Sequence, residues 1–292
     1  MSEIKSYSVG NGDMFYINHN SDNFTIIDCC LNDDNQKPIL EEVARLSGEK
    51  GITRFISTHP DDDHIRGLDL LDDKIKILNF YCVENEASKE DETDCFTRYC
   101  ELRNSSKAFY ISKGCTRKWM NENSPERDSS GISVLWPDTN HYAFKAALAA
   151  AAEGESPNNL SPIIKYALNG GVTAIWMGDL ETDFLEIIEG AVNLSAVSIL
   201  FPPHHGRDSG KIPCSMLEKL SPQIVVIGEA PSEHLNYYEG YNTITQNTAG
   251  DILFDCVPGQ IHVFTSNIYI VDFLEDLGMN RDGWFYVGTL KL

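Results

Sequence analysis

Short apolar runs separated by turn residues make up the start of the chain. Residues 4–9 alternate between apolar and polar, which predicts a strand, and the apolar run at 14–17 predicts a second one. The turn residues of 10–13 join these two strands, and residues 23–28 predict a third. Apolar residues at helical spacing over 38–48 then predict a helix.

Strands and helices alternate through the rest of the chain. Strands are predicted at 54–57, 75–81, 132–137, 163–168, 172–177, 197–201 and 224–228, and helices at 67–71, 142–153, 180–191 and 213–220. Three closing strands are predicted around Ile252, at 261–265 and at 284–289, whereas residues 85–130 predict an insertion of helices and loops. This order predicts an αββα sandwich, two mixed sheets flanked by helices, in a single domain over residues 1–292.

The composition of the chain is that of an ordinary globular protein, with 292 residues, 42% of them hydrophobic and 23% charged. No run approaches the ~20 consecutive apolar residues of a transmembrane helix, and the first residues lack the apolar core of a signal peptide. The eight cysteines are scattered and form no CxxC pair. These features predict a cytoplasmic protein with free thiols and no membrane association.

The formal net charge of −21 argues against a general nucleic-acid-binding face, because such a surface repels polyanions. One segment runs against this trend, since basic residues outnumber acidic ones between Arg98 and Arg127. Its neighbour, residues 84–94, is strongly acidic. The basic segment is either a substrate-binding patch or, more simply, a charged surface on which the two signs are segregated.

Two imidazoles and three carboxylates crowd into residues 58–64, directly after the apolar run at 52–56. The candidate metal ligands among them are His59, Asp61, Asp63 and His64. Imidazole and carboxylate hold zinc, manganese or iron, and a bound cation removes the repulsion between adjacent carboxylates. The alternative is a solvated acidic turn that begins at Pro60.

Two later strand ends carry residues of the same types. Asp179 follows the predicted strand at 172–177, and His204 and His205 follow the one at 197–201. Taken singly, Asp179 would be a helix N-cap and the two histidines loop residues. Together with the first loop, these strand ends predict a shared metal site, with room for two ions, at one edge of a sheet.

In this order the motifs resemble those of the metallo-β-lactamase superfamily, and within it the hydrolase domains of ComEC-type competence proteins. The family's first loop, His-x-His-x-Asp-His, is similar to residues 59–64, and its His-His-Gly motif stands at 204–206. Its Asp-Val-Gly-Gln-Gly-Asp, Ile-Asp-x-Gly, Asn-Asn-x-Ser, Thr-Gly-Asp and closing Thr…Gly motifs are similar to 8–13, 27–28, 158–161, 177–179 and 245–251. The resemblance spans residues 6 to about 264 and leaves 85–130 uncovered.

The resemblance implies a metallo-β-lactamase fold and hydrolysis by a metal-activated water. The implied ligands are His59, Asp61 and Asp179 for one ion, and Asp63, His64, Asp179 and His205 for a second, with Asp179 bridging. It also implies that Asp63 orients the attacking water or accepts its proton. His204 would support the ligands or contact developing negative charge.

This chain departs from the family's pattern at Asp61, which stands where the family has a histidine. A hard carboxylate oxygen shifts the preference from zinc towards manganese, magnesium or iron. The separate mid-chain histidine of the lactamases has His141 as its candidate here. The expected cofactors are one or two divalent ions, zinc or manganese first, with magnesium and iron as alternatives.

Three functions stay open, and phosphodiester hydrolysis by a nuclease or phosphodiesterase is favoured because an oxygen-rich site suits phosphoryl substrates. A hydrolase of small esters, lactones or thioesters is the alternative, and it fits the acidic surface better. An inactive, metal-free binding module is the third, although the retained candidate ligands argue against it. The expected partners are an anionic phosphodiester or a small ester, together with a partner protein or a second copy of the chain. A nuclease would need a cationic track, supplied by the segment from Arg98 to Arg127 or by a partner protein.

Overall fold

Sixteen strands are found in this computed structural model, which describes residues 1–230 and 236–292. They are β1 (Ser2–Ser6), β2 (Phe15–Asn18), β3 (Asn23–Ile27), β4 (Cys29–Cys30), β5 (Ile52–Ile56), β6 (Phe80–Cys82), β7 (Ala108–Tyr110), β8 (Ile132–Trp136), β9 (Ile163–Ala167), β10 (Thr173–Trp176), β11 (Ile199–Phe201), β12 (Ile224–Ile227), β13 (Thr243–Thr245), β14 (Ile252–Val257), β15 (Gln260–Thr265) and β16 (Phe285–Lys291). Within these described residues one sheet has nine strands, in the order β16-β15-β14-β1-β2-β3-β5-β6-β7. The other has six, in the order β13-β12-β11-β10-β9-β8.

Helices flank the two sheets. They are α1 (Gln36–Gly48), α2 (Asp62–Ile65), α3 (Leu68–Ile75), α4 (Asp94–Arg103), α5 (Tyr142–Ala152), α6 (Thr182–Ile188), α7 (Cys214–Leu220) and α8 (Gln246–Ala249). Both sheets are mixed, because β3, β5, β6 and β7 run parallel in the first, and β10 to β13 run parallel in the second. The predicted αββα sandwich of two mixed sheets is therefore confirmed.

The main core lies between the sheets and is built on large aromatic side chains. The rings of Trp176 and Phe201 stack with centroids 4.8 Å apart, and Phe15 from the other sheet meets Phe201 edge-on at 5.0 Å. All three side chains are buried. Aromatic pairs of this kind add to the free energy gained from apolar burial.

A second core lies on the outer face of the nine-stranded sheet. Val43 of α1, Leu71 of α3 and Phe96 of α4 are buried there against strand residues such as Phe55 and Phe80. The apolar spacing over 38–48 predicted the first of these helices correctly, since one face of α1 is apolar and buried.

The predicted strand at 75–81 is largely wrong. Helix α3 continues to Ile75, Lys76 takes a left-handed conformation, and only Phe80–Cys82 are extended at the sheet. Leu78, part of the apolar run that suggested the strand, is 67% exposed. A short apolar run does not by itself separate a helix end from a strand.

Residues 85–130 contain α4 and β7, and β7 pairs with β6 to extend the nine-stranded sheet. The segment after β7 is tied to the sheet by Arg54, which is fully buried. The Arg54 guanidinium donates to the side-chain oxygen of Asn23 at 2.6 Å and to the carbonyl of Trp119 at 2.9 Å. Part of the region predicted as an insertion is thus continuous with the sheet.

Among residues 1–230 and 236–292, no helix combines the length and the apolar character that crossing a membrane requires.

The parallel strands determine where the polar residues of the candidate site lie. Strands β3 and β5 of one sheet and β10 and β11 of the other each end just before a polar segment. The carboxyl ends of parallel strands lie at one edge of a sheet, and ligand sites form there. Residues that follow these four strands therefore meet at one edge of the sandwich.

Truncating Trp176 to alanine should destabilise the fold by about 3–5 kcal/mol, because it opens a cavity between the two sheets. Urea unfolding followed by circular dichroism would measure this change. Phe285→Ala is the matched control, since that ring is 46% exposed and its loss should cost only about 0.5 kcal/mol. Equal losses in the two variants would contradict this account of the core.

Candidate metal centre

The first candidate loop leaves β5 and forms the single helical turn of α2. The carbonyl of Asp61 accepts the backbone N–H groups of His64 and Ile65, at 2.9 and 3.1 Å, so the turn begins at Asp61. This turn buries His64 completely. Asp62 instead faces solvent and pairs with Arg66 one turn later, so the three adjacent aspartates do not share one role.

Asp179 reaches the same place from the end of β10 through Gly178. Gly178 has φ +51°, and a Cβ there would lie 2.5 Å from Ser161 Oγ and 2.9 Å from Thr58 Cβ. Only glycine allows this close approach of the two sheets. The Asp179 carboxylate is 2% exposed as a result.

His204 and His205 follow β11 in left-handed backbone conformations, with φ of 52° and 58°. Non-glycine residues rarely adopt such angles, and they do so mainly where the surrounding structure imposes them at functional sites. In this backbone conformation the His205 ring points into the protein, and the residue is 2% exposed. His204 stays partly exposed, and its Nε2 lies 3.7 Å from Asp179 Oδ2.

Four side chains offer ligand atoms that all lie within 4.8 Å of one another, and they are Asp13, His64, Asp179 and His205. His64 Nε2 lies 3.1 Å from Asp179 Oδ1. Asp63 borders this cluster, with Oδ2 3.5 Å from His205 Nε2. The cluster unites three strand ends and the turn before β2.

His59 lies beside the cluster and faces Asp179 from the other side. Its Nε2 is 3.9 Å from Asp179 Oδ2 and 3.8 Å from Asp61 Oδ2. Its Nδ1 is held by the hydroxyls of Thr58 and Ser161, at 3.1 and 3.2 Å. The structure therefore brings all six predicted ligand residues to one region, with Asp179 between the two groups.

Four buried atoms at the centre lack a well-aligned hydrogen bond to any described residue, namely His59 Nε2, His64 Nε2, His205 Nε2 and Asp179 Oδ1, although the second and the last lie 3.1 Å apart as an ion pair. An unpaired buried polar atom costs free energy, and proteins keep such atoms rarely. These atoms are imidazole nitrogens and a carboxylate oxygen, the donors that divalent transition metals accept. The residues present thus fit a divalent metal ion.

Two acidic residues that were not predicted as part of the site orient the histidines. Asp28 Oδ2 accepts from His64 Nδ1 at 2.9 Å, and Asp13 Oδ1 accepts from His205 Nδ1 at 3.0 Å. Each bond leaves Nε2 of its histidine free to bind a metal, and such partners fix the tautomer of a ligand. Asp13 and Asp28 stand within segments that echo family motifs, which was the available signal.

His141, the candidate for the mid-chain histidine, starts helix α5 instead. Its Nδ1 accepts the backbone N–H of Ala143 at 3.3 Å, and its ring lies edge-on to Trp136. Ser161, from the predicted Asn-Asn-x-Ser segment, is the residue that reaches the centre. Besides holding His59, its hydroxyl accepts the backbone N–H of Asp179 at 3.0 Å.

The buried charged groups of the centre shift the pKa values of one another strongly. Burial opposes protonation of His205, but the carboxylates of Asp13 and Asp179 outweigh it and raise its pKa to about 10. Burial is likewise outweighed at His64, where Asp179 and Asp28 raise the pKa well above its usual value. Burial and the neighbouring His64 lower the pKa of His59 to about 3. The two imidazolium charges in turn hold the pKa of Asp179 well below its usual range, against burial.

Most of the basic residues between Arg98 and Arg127 have partners within the fold. Arg98 pairs with Asp72, Asp73 and Glu101, and Lys118 pairs with Glu126. The guanidinium of Arg117 lies over the rings of Phe109 and Tyr81, at 4.5 and 5.0 Å from their centroids, and Arg127 pairs with Asp22. This pairing fits a surface with segregated charges better than a cationic track.

Comparison with known proteins agrees with this architecture. Residues 7–106 match the family model of the metallo-beta-lactamase superfamily. Igni18, described as a novel metallo hydrolase from the hyperthermophilic archaeon Ignicoccus hospitalis, is similar in structure with a TM-score of 0.50 and 16% identity, over 87% of this chain and 99% of its own. This is the metallo-β-lactamase fold.

The metallo-β-lactamase SMB-1, solved with mercaptoacetic acid, is more distant, with a TM-score of 0.36 and 11% identity over 64% of this chain and 73% of its own. No curated protein matches the sequence. Within the metallo-β-lactamase fold, the candidate ligands of this chain lie at the edge where its parallel strands end.

Replacing Asp28 by asparagine should weaken binding of Mn²⁺ or Zn²⁺ by about 10–100-fold, because the amide no longer fixes the tautomer of His64. Isothermal titration calorimetry would measure the dissociation constant. Asp62→Asn, a change of the same kind at the exposed neighbour, should leave it unaltered. Equal affinities for wild type and Asp28→Asn would contradict the orienting role.

Metal affinity should rise with pH. In the metal-free protein His205 has a pKa of about 10 and is protonated at neutral pH, so a metal must displace that proton. The apparent affinity for Mn²⁺ should therefore increase about tenfold per pH unit for each displaced proton, between about pH 6.5 and 8.5. Titrations in buffers of different ionisation enthalpy would count the protons released, and an affinity independent of pH would contradict the assignment.

Proposed function

We propose that this protein is a hydrolase that uses one or two divalent metal ions, zinc or manganese first, and that its substrate is a phosphodiester. The observation that carries the proposal is the set of buried, unpaired imidazole and carboxylate atoms that converge at one edge of the sandwich. A metal ion bound there would lower the pKa of a bound water and polarise the oxygen of the scissile group.

The proposed ligands are His59, Asp61, Asp63, His64, Asp179 and His205. Asp63 is the proposed acceptor for the proton of the attacking water, since its carboxylate is 24% exposed beside the buried ligands. His204 is proposed to contact negative charge that develops on the substrate, since its Nε2 faces the centre and its Nδ1 is held by Ser209 at 2.7 Å.

The donor set supports a phosphoryl substrate, because three of the six proposed ligands are carboxylates, whose oxygens suit hard metals that coordinate phosphate. A small phosphodiester fits better than a long nucleic acid. The chain carries a net charge of −21, and cations of the basic segment such as Arg98 and Lys118 are paired internally. Hydrolysis of a small phosphodiester requires neither nuclease activity nor membership of the ComEC-like subtype.

The second candidate is hydrolysis of a small ester, lactone or thioester. The same acidic surface and the paired cations favour it, because an uncharged substrate needs no positive track. A metal-free binding module is the weakest candidate, since it would bury imidazole and carboxylate atoms that make no hydrogen bond, without a metal ion to compensate them.

We also infer that the protein works in a reducing compartment such as the cytoplasm. All eight cysteines are free, and the adjacent Cys29 and Cys30 are both buried. Free thiols persist where disulfides are kept reduced.

Wild-type protein with added Mn²⁺ or Zn²⁺ should hydrolyse bis-p-nitrophenyl phosphate, and Asp179→Asn should lower that rate by about 100-fold or more. The isosteric change removes the charge that faces both groups of ligands. Release of p-nitrophenolate measures the rate. Asp183→Asn, in the first turn of α6 and exposed, is the matched control and should retain full activity.

A panel of p-nitrophenyl acetate, a lactone and a thioester separates the two candidates. Turnover of these compounds without turnover of the phosphodiester would replace the first candidate by the second. A metal-loaded protein that turns over neither class would contradict hydrolysis itself, and a protein that binds no metal would leave the binding module.

A further inference from the structure

Lys89 is the one basic residue of 84–94, a segment with six acidic residues, and it forms an ion pair with Asp61 of the first loop. Its ammonium lies 3.0 Å from Asp61 Oδ1, and the two side chains are only 25% and 30% exposed. Asp61 is a ligand in the proposed metal centre. The Lys89 ammonium therefore pairs with the Asp61 carboxylate, which stands where the similar family motif has a histidine.

The backbone directly before Lys89 is held in place. Ser88 is bonded to α5, with its backbone N–H donating to the carbonyl of Ala151 at 3.0 Å and its hydroxyl to that of Ala152 at 2.9 Å. The ammonium itself lies 5.5 Å from the centroid of the buried Phe96 ring. A lysine anchored in this way presents its charge at one position, which a freely moving surface lysine does not.

The arrangement divides the centre into two unequal halves. On one side, His64, Asp179 and His205 converge, and the ion pairs of Asp179 within the described residues are to histidines, not to lysine or arginine. On the other, Asp61 stands between two groups, with Oδ1 on the Lys89 ammonium and Oδ2 3.8 Å from His59 Nε2. A divalent ion bound by His59 and Asp61 would be repelled by that ammonium and would compete with it for the same carboxylate.

We propose that Lys89 takes the place of the second metal ion, so that the centre binds one divalent ion on the side of His64, Asp179 and His205. The ammonium neutralises Asp61, as a second ion would, without offering a coordination position. This inference rests on the proposed metal centre but not on the identity of the substrate.

The number of ions bound per chain tests the inference without measuring activity. Proteins loaded with Mn²⁺, dialysed and analysed by inductively coupled plasma mass spectrometry should contain one ion in the wild type and two in Lys89→Met. Methionine keeps an unbranched stem against Phe96 and removes the charge. Lys89→Arg retains the cation and should contain one ion, and so should Lys74→Met, which removes an exposed lysine elsewhere.

Adding Asp61→Asn to Lys89→Met should return the count from two ions to one, because the second ion would depend on that carboxylate. Two ions in the wild type would overturn the inference while leaving the metal centre intact. One ion in Lys89→Met would overturn it equally, since removing the ammonium would then open no site. No ion in any of the proteins would overturn the proposed function as well.

Discussion

Negative charge buried between two sheets is the constraint on which the rest of this structure depends. Asp179 is 2% exposed, and the imidazoles of His64 and His205 approach it from two other chain segments. Such a group is costly in an apolar interior unless positive charge compensates it. The imidazolium ions supply this compensation when metal is absent, and a divalent ion would supply it when bound.

Several hydrogen-bonding residues hold the buried carboxylate and imidazoles in position. Asp28 accepts three hydrogen bonds, from His64 and from the backbone and hydroxyl of Thr58, and so holds the first loop against the end of β3. Ser161 joins His59 to the backbone of Asp179 across the interface. The aromatic core of Trp176 and Phe201 lies directly before two of the site segments, so packing and site geometry are set by the same strands.

The sequence predicts the sandwich and brings out six candidate ligand positions, because residues of ligand type stand directly after apolar strands that are easily recognised. It does not predict the orienting role of Asp13 or Asp28, since each meets its histidine only through tertiary contact. The sequence also shows which positions are charged, but it does not show which charged side chains contact one another. The partners of Arg117 and Lys89 depend on the positions of β6, β7 and α4, in the region where the pattern was least clear.

The hydrogen bond between Asp13 and His205 joins residues 192 positions apart in the chain. During synthesis on the ribosome, the loop at 58–64 emerges long before Asp179 and His205 are available. The nascent chain therefore carries its acidic loop without the imidazole and carboxylate that complete the centre. Capture of a metal ion by the full set of candidate ligands would then belong to the last stage of folding, and it would mark a chain whose two sheets have closed on each other.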